Sequence, residues 1–334
     1  MNNKKIKGNS DYHESYLNTS ELKFDISFII INYNLSKEIE NCLNSLFAKI
    51  NTTIKINYEV IIVDNNSPNK GLPEVERKLK RKNINFYYLN KNVGFGKGCN
   101  YGFSKASGEY ICFLNPDTII KEDIIPPIIN LFESDSTIGI IGPKQQTRRP
   151  FFDFSAGYSP NIFFELFNLF GLGVFIEAIV MYLYTKLKEG KKINVNWILG
   201  AAIFIKAELF EKIGGFDRDY FMFFEEVDLC KKVSDLGYKI IYYPSLNIYH
   251  IGSVSGKKDY CLYTIRTYSS KNIYISKHFK NLEKLLMKFL LRLQLFSQIF
   301  IWIVLSPLKG QKSKQKLKAF FYLLKNNMKY EYRD

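Results

Sequence analysis

Acidic residues at the ends of apolar runs carry most of the chemistry available to this 334-residue chain. Asp117 closes Asn115-Pro116-Asp117, which breaks the apolar run Tyr110 to Leu114. A buried strand ending there leaves a carboxylate just past its carboxyl end, where ligands bind in open α/β sheets. Alone, such a tripeptide is more often a simple turn. A second polar cluster, Asp64-Asn65-Asn66-Ser67-Pro68, follows the apolar run Glu59 to Val63 in the same way. Its bland reading is an Asx-type turn, but two such clusters side by side are what a nucleotide pocket requires. A third acidic group, Glu225, Glu226 and Asp228, opens a stretch with helical spacing up to Leu236. On that helix Glu226 shares a face with Leu229, Cys230 and Val233, at spacings of three, four and seven. Asp228 lies on the other side and Glu225 on the flank. An inward carboxylate is costly unless a pocket receives it. His250, a few residues beyond the apolar run Ile240 to Tyr243, is a lone histidine, a type more often structural than ligating.

The elements that must position these groups alternate strand and helix. Ser27 to Ile31 reads as a buried strand, and Ser36 to Phe47 as a helix with Ser36 as N-cap and Glu38 and Glu40 favouring its first turn. Strands follow at Glu59 to Val63, Asn85 to Leu89 and Tyr110 to Leu114. Between the last two, Gly94, Gly96 and Gly98 form a glycine-rich loop that lets the backbone approach a ligand. A short helix from Asn100 to Ala106 then ends before Gly108. The βαβαβ rhythm predicts an α/β fold with a doubly wound, mostly parallel sheet. Beyond Asp117, Lys121 to Glu133 is helical in pattern despite Pro126-Pro127, and Ile138 to Ile141 is a short strand. Residues 144 to 160 form a polar and aromatic loop in which Arg148 and Arg149 are either solvated surface or phosphate neighbours. Trp197 to Ile205 returns to the sheet, and a helix from Ala207 to Ile213 stops at Gly214-Gly215.

Composition narrows the classes. Lys and Arg outnumber Asp and Glu by 47 to 32, so an anionic partner is expected. The five scattered cysteines form no CxxC pair, against a structural zinc site or a disulfide framework and in favour of a reducing compartment. Met1 to Leu22 is polar and reads as a loose tail rather than a signal peptide. The first strand-to-helix turn, FIIINYNLS, has no glycine, which removes the dinucleotide fingerprint and the phosphate loop, and with them hydride transfer and P-loop ATPase chemistry.

In sequence and order, NVGFGKGCNYGFSKASGEYICFLNPDT and GGFDRDYFMFFEEVDLCKKVSDLGYKIIYYPSLNIYHIGSVSG resemble the inverting family 2 glycosyltransferases, particularly the rhamnosyltransferase-like branch. The resemblance runs from about Phe24 to about His278. It implies a GT-A fold and transfer of a sugar, with rhamnose favoured, from a dTDP- or UDP-sugar to a hydroxyl of a glycan or lipid-linked acceptor. It implies that Tyr33 lies against the base, that Asp64 and Asn65 contact base or ribose, and that Gly96 and Asn100 belong to the nucleotide-sugar site. Asp117 is implied as the metal-binding carboxylate, with His250 next to it at the diphosphate or metal. One carboxylate, one histidine and substrate phosphates suit Mg²⁺ or Mn²⁺ better than zinc. Trp197 and Gly200 fall on the acceptor side. The family usually has Glu-Asp before its Val-Asp-Leu, and here the run is Glu225-Glu226-Val227-Asp228-Leu229. The base therefore falls on Glu226, with Glu225 and Asp228 as support.

Two stretches fit no part of that plan. Ile162 to Tyr184 is strongly apolar but interrupted by Glu165, Asn168 and Glu177. It is read either as a surface-lying or re-entrant pair of short helices around Gly171 and Gly173, or as a buried subdomain. After His278, Lys280, Lys284, Lys288 and Arg292 recur every fourth residue, with Leu282, Leu285, Leu286, Phe289, Leu290 and Leu293 opposite. A lysine-rich tail follows Pro307. The expected plan is a tail over 1–23, a catalytic domain over 24–278 and a basic amphipathic extension over 279–334. That extension either packs on the catalytic domain or lies in an anionic membrane surface, the second being preferred. A cytoplasmic enzyme peripheral to the inner face of the cell membrane follows. Nucleic acid is not an expected partner, because the basic residues flank an apolar helix rather than interleave with aromatics. Rival readings are a sugar-phosphate nucleotidyltransferase, whose basic glycine-rich signature the first turn lacks, and a membrane-surface binding protein that keeps only the fold.

Overall fold

A computed structural model describes residues 23–50, 54–79, 81–146, 155–187, 191–252 and 259–330. The polar stretch 1–22, Arg148 and Arg149 lie outside the described residues. The first half alternates as expected: β1 (Phe24–Asn32), α1 (Ser36–Lys49), β2 (Tyr58–Asp64), α2 (Leu72–Lys78), β3 (Ile84–Tyr88), α3 (Phe95–Phe103) and β4 (Gly108–Leu114). Next come β5 (Thr118–Ile120), α4 (Ile125–Ser134), β6 (Ile138–Gln146), β7 (Ala156–Gly157), α5 (Ile162–Leu169) and α6 (Gly173–Leu187). The chain continues through β8 (Ile193–Asn194), β9 (Trp197–Ile198), β10 (Ala202–Lys206), α7 (Ala207–Lys212), α8 (Glu225–Asp235) and β11 (Lys239–His250). It finishes in helices α9 (Tyr260–His278), α10 (Asn281–Val304), α11 (Ser306–Lys309) and α12 (Gln311–Lys325).

The main sheet has the order β3-β2-β1-β4-β10-β6-β11-β5, with β8 on β11. β1, β2, β3 and β4 are parallel, as are β6 and β11, while β10 runs antiparallel between the two groups. Near-continuous burial of β1, β2 and β4 follows from cover on both faces. One apolar cluster joins β1 and β2 to α1 and α4, and a second joins the opposite face to α3, α7 and α8. β11 is longer than its apolar run predicts and reaches His250, because its far end pairs antiparallel with β5.

Several local expectations change. Pro126-Pro127 does not interrupt a helix but opens α4, where a missing N–H costs nothing. The cap of α1 is Leu35, whose N–H is accepted by Asn32 Oδ1 at 3.1 Å, so Ser36 is the first helical residue. Trp197 to Ile205 divides into β9, paired with β7 in a separate two-stranded sheet, and β10 in the main sheet. The lysine-rich tail is the helix α12, since Ala319, Phe320 and Leu323 bury one of its faces.

The apolar stretch at 162–184 is indeed two helices, broken at Phe170 to Leu172. Its polar interruptions face inward: Glu165 is buried and ion-paired to Lys271, while Phe163, Leu166 and Phe170 face solvent. On α10 the expected two sides become three. Met287, Leu290, Leu291 and Leu295 are buried, together with Tyr220, Val227, Tyr274 and Phe320 for most of them, in a third core. Leu282, Leu285, Phe289, Phe296 and Phe300 lie opposite and exposed, from 55% to 76%. Lys284, Lys288 and Arg292 occupy the flank between. Of the described helices, α10 alone is long and apolar enough to cross a membrane by length and composition.

Candidate active site

Three strand ends and one helix start converge above the sheet. Asn32 and Asp64 are register partners at the ends of β1 and β2. The Asp64 carboxylate accepts from Asn32 Nδ2 at 2.5 Å, Ser67 N at 2.9 Å and Ser67 Oγ at 2.7 Å. The Asx turn and the pocket wall are therefore one feature, held in place by a buried carboxylate. Asn65 donates to Gly94 O at 3.0 Å and accepts from Val93 N at 2.9 Å. Its amide is spent on holding the glycine loop against the end of β2, so it shapes the pocket rather than reaching into it. Tyr33 is 38% exposed above this turn.

The glycine stretch is organised differently from expectation. Only Gly94 sits in a loop, at φ 88°, and a Cβ there would lie 2.3 Å from Phe221 O, the acceptor for Phe95 N–H. Gly96 lies inside α3, and its open side meets Phe216 at 3.1 Å, so it permits protein packing and not ligand approach. Asn100 is likewise reassigned. Its amide clamps the Phe216 backbone from both sides, donating to O at 2.8 Å and accepting from N at 2.9 Å.

Asp117 follows the tight turn after β4, in which Asn115 N–H reaches Ala201 O at 2.9 Å and Thr118 N–H reaches Asn115 O at 3.2 Å. Thr118 is the register partner of His250, and Ile251 N–H donates to Asp117 O at 3.0 Å. These backbone bonds bring His250 Nε2 to 3.2 Å from Asp117 Oδ1. Among the described residues no third histidine, cysteine or acid completes a metal cluster with them. A buried carboxylate oxygen and an imidazole nitrogen fit a hard divalent cation that takes its remaining ligands from substrate phosphates and water.

The start of α8 carries the third acidic group. Phe223 and Phe224 both have left-handed backbones, at φ 72° and 67°, which side chains other than glycine adopt at a cost. They are pinned by Phe95 N–H on Phe221 O and by Ser270 Oγ–H on Met222 O at 3.0 Å. This reversal aims the first two acids of α8 apart. Glu225 is buried beneath α3, its Cβ 3.6 Å from where a Gly96 Cβ would lie. Glu226 faces a cavity of about 250 Å³ shared with Trp197, Leu199, Phe223, Phe224 and Tyr263. Gly200 packs beside Glu226 and does not line the cavity, a Cβ there lying 4.0 Å from Glu226 Cβ.

Burial pushes the Glu226 carboxyl up to about 7. Burial, and then the charge of Glu226, pushes Glu225 well above the usual carboxylate range. Within the pair Glu225 keeps its proton and Glu226 is the one that ionises near neutrality. Glu226 Oε2 is buried with no hydrogen-bond partner in the protein, as expected of an oxygen waiting for a ligand proton.

Asp228 departs from the expected outer side of the helix. It is fully buried, held by His278 Nε2 at 2.6 Å, Tyr220 Oη at 3.3 Å and Lys232 Nζ at 3.2 Å. The C-terminal helices cover that side, which a periodicity count along α8 alone does not register. Its partners tie α8 to α9, so Asp228 anchors the helix. Glu177 and Lys271, which also line the cavity, went unnoticed as site residues; their only signal was a carboxylate inside an apolar run.

The family model for glycosyl transferase family 2 matches residues 27–213, more than half of the chain. Over 210 residues the chain is 26% identical to the low-salt glycan biosynthesis hexosyltransferase Agl10 of Haloferax volcanii, covering 62% of this chain and 60% of that protein. It is 25% identical over 223 residues to the rhamnosyltransferase WbbL of Escherichia coli, covering 63% and 79%. Against the poly-beta-1,6-N-acetyl-D-glucosamine synthase of Staphylococcus aureus it is 26% identical over 229 residues, 68% of this chain and 50% of the synthase. The match thus spans less than two thirds of the first and third of these relatives. Among solved structures, a Pyrobaculum calidifontis mannosyltransferase in complex with GDP-Man and Mn²⁺ superposes with a TM-score of 0.54 at 15% identity, over 90% of this chain and 85% of that one. GalNAc-T7 with UDP, GalNAc and Mn²⁺ gives 0.58 at 14%, over 90% and 56%. These likenesses show the fold, a GT-A-type α/β sheet. By sequence and by architecture, the chain belongs to glycosyl transferase family 2.

Proposed function

We propose that this protein is an inverting glycosyltransferase that moves a sugar from a nucleoside diphosphate donor to an acceptor hydroxyl during polysaccharide assembly. One observation carries the reading: Glu226 Oε2 is buried in a cavity wall with no hydrogen-bond partner, suited to take a proton, and Asp117 meets His250 at 3.2 Å past the end of β4, suited to a metal-bound diphosphate. Tyr33 and the Asp64 turn take the nucleoside. Asp117 and His250 would hold a divalent cation, Mg²⁺ or Mn²⁺, which would offset charge building on the departing diphosphate. Glu226 removes the acceptor hydroxyl's proton as that oxygen forms its bond to the anomeric carbon. The bond from that carbon to the diphosphate breaks, and its electron pair leaves with the nucleoside diphosphate. A single displacement inverts the anomeric centre and needs no covalent sugar–enzyme intermediate. General base catalysis of this kind contributes about 10²–10⁴-fold. Rhamnose, on a dTDP or UDP carrier, is the favoured sugar, supported by the rhamnosyltransferase among the relatives.

The acceptor is lipid-linked, and the protein binds an anionic membrane surface to reach it. Support comes from the exposed apolar stripe on α10 beside the basic flank Lys284, Lys288 and Arg292. α5 packs against α10, with Gln294 Nε2 donating to Asn168 O at 3.4 Å, so the outward Phe163, Leu166 and Phe170 extend the same apolar surface. Because the opposite face of α10 is committed to the third core, the helix lies along a bilayer rather than across it.

A screen of the purified protein against nucleotide sugars, with Mn²⁺, tests the reading by release of nucleoside diphosphate. Slow release without acceptor, accelerated by a glycan or lipid-linked glycan, is the expected result. No release from any dTDP-, UDP- or GDP-sugar contradicts it.

A further inference from the structure

The cavity that Glu226 faces has a wall supplied by the α5–α6 hairpin, which interrupts the alternation of strands and helices between β7 and β8. Phe164, Glu165 and Asn168 of α5 and Glu177 of α6 meet Lys271 of α9 there, opposite Trp197. The wall is tightly built. A Cβ on Gly157 would lie 2.3 Å from Glu177 Oε1 and 2.6 Å from Trp197 Cζ2, so the bare glycine is what lets carboxylate and indole close on each other. Trp197 is fixed in turn by its Nε1–H on Tyr158 O at 2.9 Å.

Charge decides what such a cavity accepts. Three carboxylates, Glu165, Glu177 and Glu226, line it against one ammonium. Lys271 is already spent, its Nζ 2.5 Å from Glu165 Oε2 and 3.4 Å from Gln294 Oε1, which leaves no free cation among the described lining residues to receive an anion. An anionic group would bring like charge beside these carboxylates. A hydroxyl supplies what the wall lacks, since Glu226 Oε2 is buried with no donor. Flat aromatic surface beside carboxylate acceptors matches a ring with apolar C–H faces and a hydroxyl rim. Burial raises Glu177 to about 7, which keeps it able to donate as well as accept near neutrality.

We propose that this cavity is a subsite for one uncharged, hydroxyl-bearing sugar ring of the acceptor, held by Glu177 and Asn168 against Trp197, and that the α5–α6 hairpin selects against uronic acid and phosphorylated acceptors. The inference rests on the glycosyltransferase reading and names its acceptor class. Any phosphate that links the acceptor to a carrier stays outside the cavity.

Trp197 provides the readout, because the chain has two tryptophans and Trp302→Phe leaves it alone. Full-length Trp302→Phe protein is titrated with methyl glycosides of glucose, galactose, mannose and rhamnose, with methyl glucuronide and galacturonide, and with glucose 6-phosphate. At least one neutral glycoside should change Trp197 emission saturably, with every anionic counterpart weaker by about 10-fold or more. Glu177→Gln should weaken that neutral ligand by roughly 10- to 150-fold, the effect of one hydrogen bond to a charged group. An anionic sugar binding as tightly as its neutral counterpart overturns the proposal, and so does the absence of any neutral binder. Nucleoside diphosphate release by the wild-type protein is measured alongside. Release with anionic sugars preferred would reject the subsite and keep the transferase; neutral binding with no release from any donor would reject the transferase and keep a sugar-binding cavity.

Discussion

At the scale of residues, the account turns on where protons and cations sit. Glu226 must be ionised to act as a base, and burial raises its carboxyl to about 7. A raised carboxyl is protonated below that value, so kcat/KM should rise with pH and reach half its plateau near 7. An ordinary carboxylate would show half-maximal activity near 4.3. A profile flat from pH 5.5 to 8 would rule out an elevated base. Asp117 faces His250 at 3.2 Å with no third protein ligand among the described residues, so losing its charge should be severe. Asp117→Asn should weaken Mn²⁺-dependent donor binding by about 10-fold or more in calorimetry, beside a near loss of turnover. Unchanged Mn²⁺ dependence of donor binding in that variant would remove the cation from this pair. Strand-end carboxylates such as Asp117 were legible in the sequence because an apolar run that stops at a turn marks its own end. Asp228 was not, because its partner His278 lies 50 residues away on a helix that no local count connects to α8.

At the scale of elements, glycines and amides that looked like ligand contacts prove to be joints between elements. Asn100 ties α3 to the loop before α8 through both Phe216 backbone groups. Asn100→Ala should therefore lower stability by about 1–3 kcal/mol, the cost of leaving buried backbone groups unpaired, in a denaturant titration. Donor affinity that collapses with no loss of stability would return Asn100 to the nucleotide-sugar site. Sequence periodicity gave the order of strands and helices because two-sided burial writes near-continuous apolar runs and one-sided burial writes a 3.6-residue pattern. It placed the helix after the glycines five residues late, at Asn100 rather than Phe95. Glycine's low helix propensity argued for a loop, and packing against Ile31 and Phe216 overrode it. The paired left-handed backbones of Phe223 and Phe224 had no sequence signal, since glycine or asparagine is the usual mark of such a site.

For the whole molecule, the C-terminal helices are part of the catalytic body and also its outer apolar face. Tyr220 and Val227, near Glu226 in sequence, share a core with Leu291, Leu295 and Phe320. The outward stripe of α10 can be changed without touching that core. Phe289→Ser, Phe296→Ser and Phe300→Ser together should release the protein from phosphatidylglycerol vesicles while the melting temperature holds, and raised salt should weaken the unaltered protein's attachment. Equal vesicle binding by both proteins would refute the membrane face. The sequence alone left two alternatives open for α10, packing on the domain or lying in a membrane. It combines an inward face with an exposed apolar one, a division that becomes visible only once its neighbours are placed. The central claim is that Glu226 is the base of a glycosyl transfer, and its most direct test is the turnover of Glu226→Gln with donor affinity measured beside it. A fall in kcat of at least about 10²-fold with donor affinity little changed is the predicted result. An active Glu226→Gln beside an inactive Glu225→Gln or Asp228→Asn, each folded by melting temperature, would contradict it.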